Sequence, residues 1–202
     1  MRVNGNATTY RLEETPKDFE EARVSSSKGV VTVEAGSGND EIRVSAGKDR
    51  GVDVSVNGET YHFARSEVEK GLLIKGGRGK DFFRVDESVD VPVRLEGGKG
   101  NDSLLNRAKG TVLDGGDDDD TIVNAGANAT IIPGEGDNLV KSYGDGTTID
   151  RQGSGRDRIE VAANDTFVRS GPGGVAEVDL AGHGNYVRGH DNMFVRYFFA
   201  YP

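Results

Sequence analysis

Residues 97–150, cut every nine, read GGKGNDSLL NRAKGTVLD GGDDDDTIV NAGANATII PGEGDNLVK SYGDGTTID. The eighth residue of every unit is apolar: Leu104, Leu113, Ile122, Ile131, Val140 and Ile149. After a one-residue slip the period resumes at Gln152 as QGSGRDRIE and VAANDTFVR. A second slip leads to GPGGVAEVD from Gly171 and LAGHGNYVR from Leu180. These units add Ile159, Val168, Val178 and Val187 at position eight. A nine-residue unit holds one turn rich in Gly, Asp and Asn and a strand of about three residues, each advancing roughly 3.3 Å. Two units make a coil of about 18 residues, and a single coil cannot bury its apolar side chains, so stability must come from stacking neighbours. Glycine permits the positive φ of tight corners. The expected fold is all-β: a right-handed parallel β-helix or β-roll solenoid of about eight to nine coils.

Position six of each unit carries the chemistry. It reads Asp102, Thr111, Asp120, Ala129, Asn138, Thr147, Asp157, Thr166, Ala176 and Asn185. With two units per coil, Asp102, Asp120, Asn138 and Asp157 line one edge of the solenoid. Thr111, Ala129, Thr147 and Thr166 line the other. One edge is equipped with hard oxygen ligands and the other is structural.

Outward from the repeats, the register reaches back to Val24, Val33 and Ile42, with Val52 one slip later. The solenoid is therefore expected over 24–188. VDVSVNGETYHF alternates strictly around Asn57-Gly58, a strong hairpin signal, so residues 52–63 are read as a hairpin insertion. Residues 1–23 lie outside the repeat and are read as an N-terminal cap, with a short strand at TTYRL and a helical turn from Pro16. A cap of this kind protects an open sheet edge. Residues 189–202 carry Met193, Phe194, Val195, Tyr197, Phe198, Phe199 and Tyr201. They are read as an aromatic C-terminal cap, and as a surface for self-association.

The turns GGKGND, GGDDDD, PGEGDN, QGSGRD, GGRGKD and AGSGND resemble the RTX, or haemolysin-type, calcium-binding repeat GGxGxDxUx over roughly residues 30–190. VNGETYHF and GGRGKDFFRV also look like repeat-bearing secreted proteins of Gram-negative bacteria, type III effectors among them. The RTX resemblance implies Ca²⁺ between successive turns on one edge, held by position-six carboxylates and turn carbonyls. It also implies delivery outside the cell, or into a host cell, without a conventional signal peptide. Residue by residue, it points to Asp102, Asp120, Asp118, Asp137, Asn138, Asp157, Asp81 and Asp40. The best site should lie between turns 97–102 and 115–120, the next between 115–120 and 133–138, and a third at the pair Asp81 and Asp102. The chain departs from the family pattern at Lys80, Lys99, Arg156 and Arg158, which sit in or beside the turns and can neutralise carboxylates without metal. The expectation is one partial row of ions, in a chain that also folds without calcium.

Composition narrows the alternatives. Thirty glycines, five prolines and 34% hydrophobic residues suit a turn-rich fold with a thin core. With no cysteine, nothing depends on disulfides. A net charge of −9 argues against a nucleic-acid surface, and no stretch is long enough for a membrane-spanning helix. The three histidines, His62, His183 and His190, form no HExxH, and the glycine-rich turns have no GKS or GKT for phosphate. A strip of Arg43, Lys75, Arg84, Asp86 and Arg94 offers a glycan-active enzyme as one alternative. A metal-free module that binds a host protein or surface glycan is another. The favoured reading is a calcium-binding structural or interaction module with no catalysis of its own.

Overall fold

Sparse β-branched residues between glycine corners leave the backbone one regular option, short parallel strands stacked coil on coil. A computed structural model describes residues 8–10, 22–189 and 192–198. It is a parallel β-solenoid of about seven turns, each of roughly 19 residues, fewer than the eight to nine coils expected from an 18-residue repeat. The slips lengthen the later coils by a residue, and hairpins take up residues 24–33 and 52–63. One face stacks β3 (Val30–Ser37), β7 (Gly71–Arg78), β9 (Val93–Lys99), β11 (Val112–Asp117), β13 (Thr130–Gly134), β15 (Thr148–Arg151), β17 (Phe167–Ser170) and β19 (Tyr186–Arg188). The other stacks β4 (Glu41–Ala46), β8 (Phe82–Val85), β10 (Ser103–Asn106), β12 (Thr121–Asn124), β14 (Leu139–Ser142), β16 (Arg156–Ala162), β18 (Val175–Ala181) and β20 (Met193–Phe198).

The nine-residue register holds through the stack. Leu95 pairs with Leu113, Leu113 with Ile131 and Ile131 with Ile149 on the first face. Leu104, Ile122, Val140 and Ile159 do the same on the second. These side chains form one continuous buried core. A four-residue strand such as β12 buries only two side chains, Ile122 in the centre and Asn124 at the corner. The apolar core is thus one side chain thick per strand, and losing one empties a layer. Ile122→Ala is expected to cost about 2–5 kcal/mol, lowering the thermal midpoint by roughly 5–15 °C. Calorimetry on the variant checks this.

Two expectations change at the ends. The nine-residue spacing of Val24 and Val33 is a hairpin, not a coil: β2 (Arg23–Ser27) runs antiparallel to β3 through a turn at Lys28-Gly29, both with positive φ. A tight turn and a coil corner share the same glycine chemistry, which is why the spacing alone misleads. β1 (Thr8–Tyr10) adds antiparallel to β2. The aromatic segment is not a separate cap either, because β20 is the last parallel rung, paired with β18 from Ala176–Met193 to Ala181–Phe198. The helical turn expected from Pro16, together with His190, Phe199 and Tyr201, lies outside the described residues.

The hairpin forms as expected: β5 (Val52–Val56) and β6 (Glu59–Phe63) pair antiparallel across Asn57 (φ 52°) and Gly58 (φ 88°). It continues the second face, since β5 also pairs antiparallel with β4. Val89 and Val91, in the insertion before β9, are buried and join the core. Among the described residues, no helix is long and apolar enough to cross a membrane.

Candidate metal centre at the aspartate corner

Each passage from the first face to the second is a glycine-rich turn that ends on the position-six residue. Stacking places Asp40, Asp81, Asp102, Asp120, Asn138 and Asp157 above one another, all buried. Each of the first five hands a backbone N–H to the side chain one coil on. Asp40 N–H donates to Asp81 Oδ1, Asp81 N–H to Asp102 Oδ1 and Asp102 N–H to Asp120 Oδ1, all at 2.8 Å. Asp120 N–H then donates to Asn138 Oδ1 at 2.8 Å, and Asn138 N–H to Asp157 Oδ1 at 3.0 Å. From Asp81 to Asp157, one oxygen of each side chain is thereby used as a rung of the ladder.

The second oxygen is the informative one. Asp40 Oδ2, Asp81 Oδ2, Asp102 Oδ2 and Asp120 Oδ2 are buried and have no hydrogen-bond partner. An unpaired carboxylate oxygen in this position is costly unless a proton or a cation meets it. Beneath three of them sits the position-one glycine, Gly76, Gly97 or Gly115. A Cβ built on Gly97 would fall 2.4 Å from Asp102 Oδ2 and 2.3 Å from the Gly115 carbonyl oxygen. Gly115 stands in the same way to Asp120 Oδ2 and the Pro133 carbonyl, and Gly76 to Asp81 Oδ2 and the Gly97 carbonyl. Carboxylate and carbonyl therefore lie within about 5 Å of each other, a span that one Ca²⁺ bridges with bonds of about 2.3–2.6 Å.

Electrostatics agree with an unmet charge. Burial, which the backbone hydrogen bond from Asp40 only partly offsets, pushes the Asp81 carboxyl up to about 7, with Asp102 and Asp40 adding repulsion. Burial likewise raises Asp102 to about 6, with Asp118 contributing. Asp120 goes to about 8, driven first by burial and then by Asp102, Asp118 and Asp119. Among the described residues no three Asp, Glu, His or Cys side chains converge as a metal site. A cation here would rely on one or two carboxylates plus main-chain oxygens, a donor set that suits Ca²⁺ far better than zinc.

The remaining expected ligands sit elsewhere in the turns. Asp118 and Asp137 are exposed at the tips, where Asp118 Oδ2 accepts from Gly100 N–H at 3.0 Å and Asp137 Oδ1 from Arg156 N–H at 2.7 Å. The basic residues singled out as neutralisers face outward: Lys99 pairs with Asp117 at 3.2 Å, and Arg158 with Glu160, Glu177 and Asp179. Solvent-exposed pairs of this kind contribute little.

The cation that does enter the corner is Arg151, the residue at which the sequence period slips. It is buried, and its guanidinium meets Asp157 Oδ2. The extra residue is accommodated inside the turn, and Arg151 takes the column of the position-one glycines.

The buried side chains of the opposite corner are uncharged and largely hydrogen-bonded, although Ser142 Oγ and Thr166 Oγ1 there are buried without a hydrogen-bond partner. Asn106 Nδ2 donates to Asn124 Oδ1 and to the Ala108 carbonyl, both at 2.8 Å. Asn124 Nδ2 donates to Thr147 Oγ1 at 3.2 Å. Thr111, Ala129, Thr147 and Thr166 are buried there. The Asn ladder that shares the Thr edge is visible in sequence only as Asn106 and Asn124 opening alternate units. The mixed-charge strip is divided: Arg43, Arg84 and Asp86 belong to the second face, Lys75 and Arg94 to the first. Arg43 pairs with Glu41, Arg84 with Asp86, Arg94 with Glu96 and Asp114, and Lys75 with Glu34 and Glu96. His62 is exposed on the hairpin, 2.8 Å from Asp53.

Fold and corner together define a parallel β-solenoid with a buried acidic ladder along one edge. No protein-family model, curated protein or solved structure matches the chain.

Proposed function

We propose that the chain is a calcium-binding structural or interaction module, with Ca²⁺ taken up along the aspartate corner and no catalysis of its own. The observation that carries this reading is the set of buried, unpartnered Oδ2 atoms on Asp40, Asp81, Asp102 and Asp120. The position-one glycines support it by leaving room where a side chain would stand between carboxylate and carbonyl. The residues that would hold ions are Asp81, Asp102 and Asp120, with main-chain oxygens of the adjacent turns. Calcium supplies there the positive charge that the buried carboxylates lack. An ion that binds only the folded turns stabilises them by mass action. In keeping with the RTX resemblance, the module would then work outside the bacterial cell, where calcium is abundant.

The test is thermal unfolding in calcium and in chelator, on the wild type and on Asp102→Ala/Asp120→Ala. The midpoint of the wild type should rise by several degrees in millimolar calcium, about 2.7 kcal/mol being expected at a hundredfold excess over Kd. The variant should lose most of that rise. Identical midpoints in calcium and chelator would sink the reading.

A second reading is supported by the far end. Phe194, Tyr197 and Phe198 on β20 are exposed, and Tyr143 lines a surface pocket together with Phe198. Such an aromatic surface suits a metal-free interaction protein that docks a host protein or a second copy. Unchanged partner binding after calcium removal, lost in Phe194→Ala/Tyr197→Ala, would favour it.

A further inference from the structure

The corners fall into two groups, separated by what faces the position-four carbonyl. At Asn138 the amide Nδ2 donates to the Gly136 carbonyl at 3.2 Å and to the Glu135 carbonyl at 3.3 Å. One coil on, Arg151 Nη2 donates to the equivalent carbonyl, that of Gly155, at 3.0 Å. Its Nη1 reaches the Gly173 carbonyl and lies 3.4 Å from Ser170 Oγ, while Nε meets Asp157 Oδ2. In both corners the chain provides its own N–H donors. The corners of Asp81, Asp102 and Asp120 have a glycine at position one and a carboxylate at position six, and the second carboxylate oxygen has no partner.

Arg151 occupies the position-one column. Gly98 pairs with Gly116 and Gly116 with Gly134, which aligns Gly97, Gly115 and Pro133. The pairing of Thr148 with Thr130 and of Ile149 with Ile131 then sets Arg151 beside Pro133. A guanidinium thus enters the corner from the place that glycine leaves open elsewhere. Its hydrogen-bond partners are all oxygens: one carboxylate, two main-chain carbonyls and one hydroxyl. That is a hard donor set of the kind calcium takes, with water completing the shell.

We propose that the Arg151 guanidinium is a built-in cation standing where a divalent ion would otherwise sit, and that its corner is a latent calcium site. This rests on reading the aspartate corner as an ion corner. It goes further in dividing the row: ions are confined to the corners before Asn138, and the coil closed by Arg151 and Asp157 is held without metal. The N-terminal part of the ladder responds to calcium while the part beyond Pro133 does not.

The experiment uses the full chain as wild type, Arg151→Gly, Arg151→Lys and Arg151→Gly/Asp157→Asn. Calcium stoichiometry is read by calorimetric titration, and unfolding midpoints in calcium and in chelator. Arg151→Gly should bind one more Ca²⁺ than wild type, and its midpoint in chelator should fall by about 10 °C. Calcium should restore most of that loss, and the added Asp157→Asn should abolish the extra ion. Arg151→Lys keeps the charge and should keep the wild-type stoichiometry. If Arg151→Gly does not fold in chelator, recovery of the β spectrum on adding calcium supports the proposal, and failure to recover overturns it. Wild-type binding with no added ion in Arg151→Gly overturns the latent site and leaves the aspartate row standing. An ion bound by Arg151→Gly but not by wild type upholds the latent site and removes the row.

Discussion

Replacing Gly98 with alanine is expected to be among the most damaging single-methyl changes in this chain. Gly98 has φ 115°, outside the range that an L side chain adopts readily, and a Cβ there would lie 2.3 Å from the Gly77 carbonyl oxygen. The same holds along the column: a Cβ on Gly77 would fall 2.0 Å from the Gly36 carbonyl, one on Gly116 2.1 Å from that of Gly98, and one on Gly134 2.0 Å from that of Gly116. What each would strike is backbone of the coil below, so no rotamer change relieves it. The backbone conformation alone costs about 1–3 kcal/mol, and parting two hydrogen-bonded coils adds to it. A total of about 4 kcal/mol or more, roughly 10 °C or above in midpoint, is the expected result. Gly110 is the control: its φ is also positive, at 71°, but a Cβ there meets nothing within 4 Å. Gly110→Ala should cost about 1 kcal/mol. Both variants are compared in saturating calcium, so that loss of an ion does not enter the difference. Equal destabilisation would refute the view that coil-to-coil backbone approach governs these glycines.

That column explains how much of the molecule was legible in its sequence. A period of nine with an apolar eighth residue permits one periodic solution, and Leu104, Ile122, Val140 and Ile159 stack accordingly. The alternation of Asp and Thr at position six likewise separated a charged edge from a neutral one. Asn57-Gly58 identified the hairpin because positive φ at two successive residues is what such a turn demands. Other features were hidden for reasons that are equally physical. The Val24 to Val33 spacing is compatible with both a coil and a hairpin, and only pairing partners separate them. Strand β20 follows a coil whose register has slipped, so its alternation passed for a cap. Arg151 was hidden most completely. A one-residue slip looks like a spacer, whereas in three dimensions the added residue is taken up by the turn and the arginine is turned inward onto Asp157. No propensity scale distinguishes an arginine that faces solvent from one that faces a buried carboxylate.

The buried ladder also sets how stability should vary with pH, and here protons and calcium act at the same atoms. Asp81, Asp102 and Asp120 are raised from 3.8 to about 7, 6 and 8. A carboxyl raised on folding holds its proton more tightly in the folded state, so its protonation stabilises the fold. That contribution is complete below the unfolded value near 4 and is lost as pH climbs through about 6 to 8. In chelator the midpoint should therefore fall between pH 5 and pH 8.5. Each of these groups is worth on the order of 1–4 kcal/mol, and because they are neighbours the effects do not sum. A total near 5 kcal/mol corresponds to roughly 10–20 °C. Among the described residues no opposite charge offsets this at Asp81, Asp102 or Asp120: Asp81 is flanked by Asp40 and Asp102, and Asp120 by Asp102, Asp118 and Asp119. Calcium needs the ionised form, so its stabilisation should be small at pH 5 and large at pH 8.5, and the calcium-loaded midpoint should be nearly flat. Asp120→Asn isolates the effect, since Asn138 already shows that an amide fits this column and accepts the same backbone N–H. The variant should lose part of the pH dependence in chelator and part of the calcium response above pH 7. A chelator midpoint that rises with pH over this range would contradict both the burial of the ladder and its role as an ion corner.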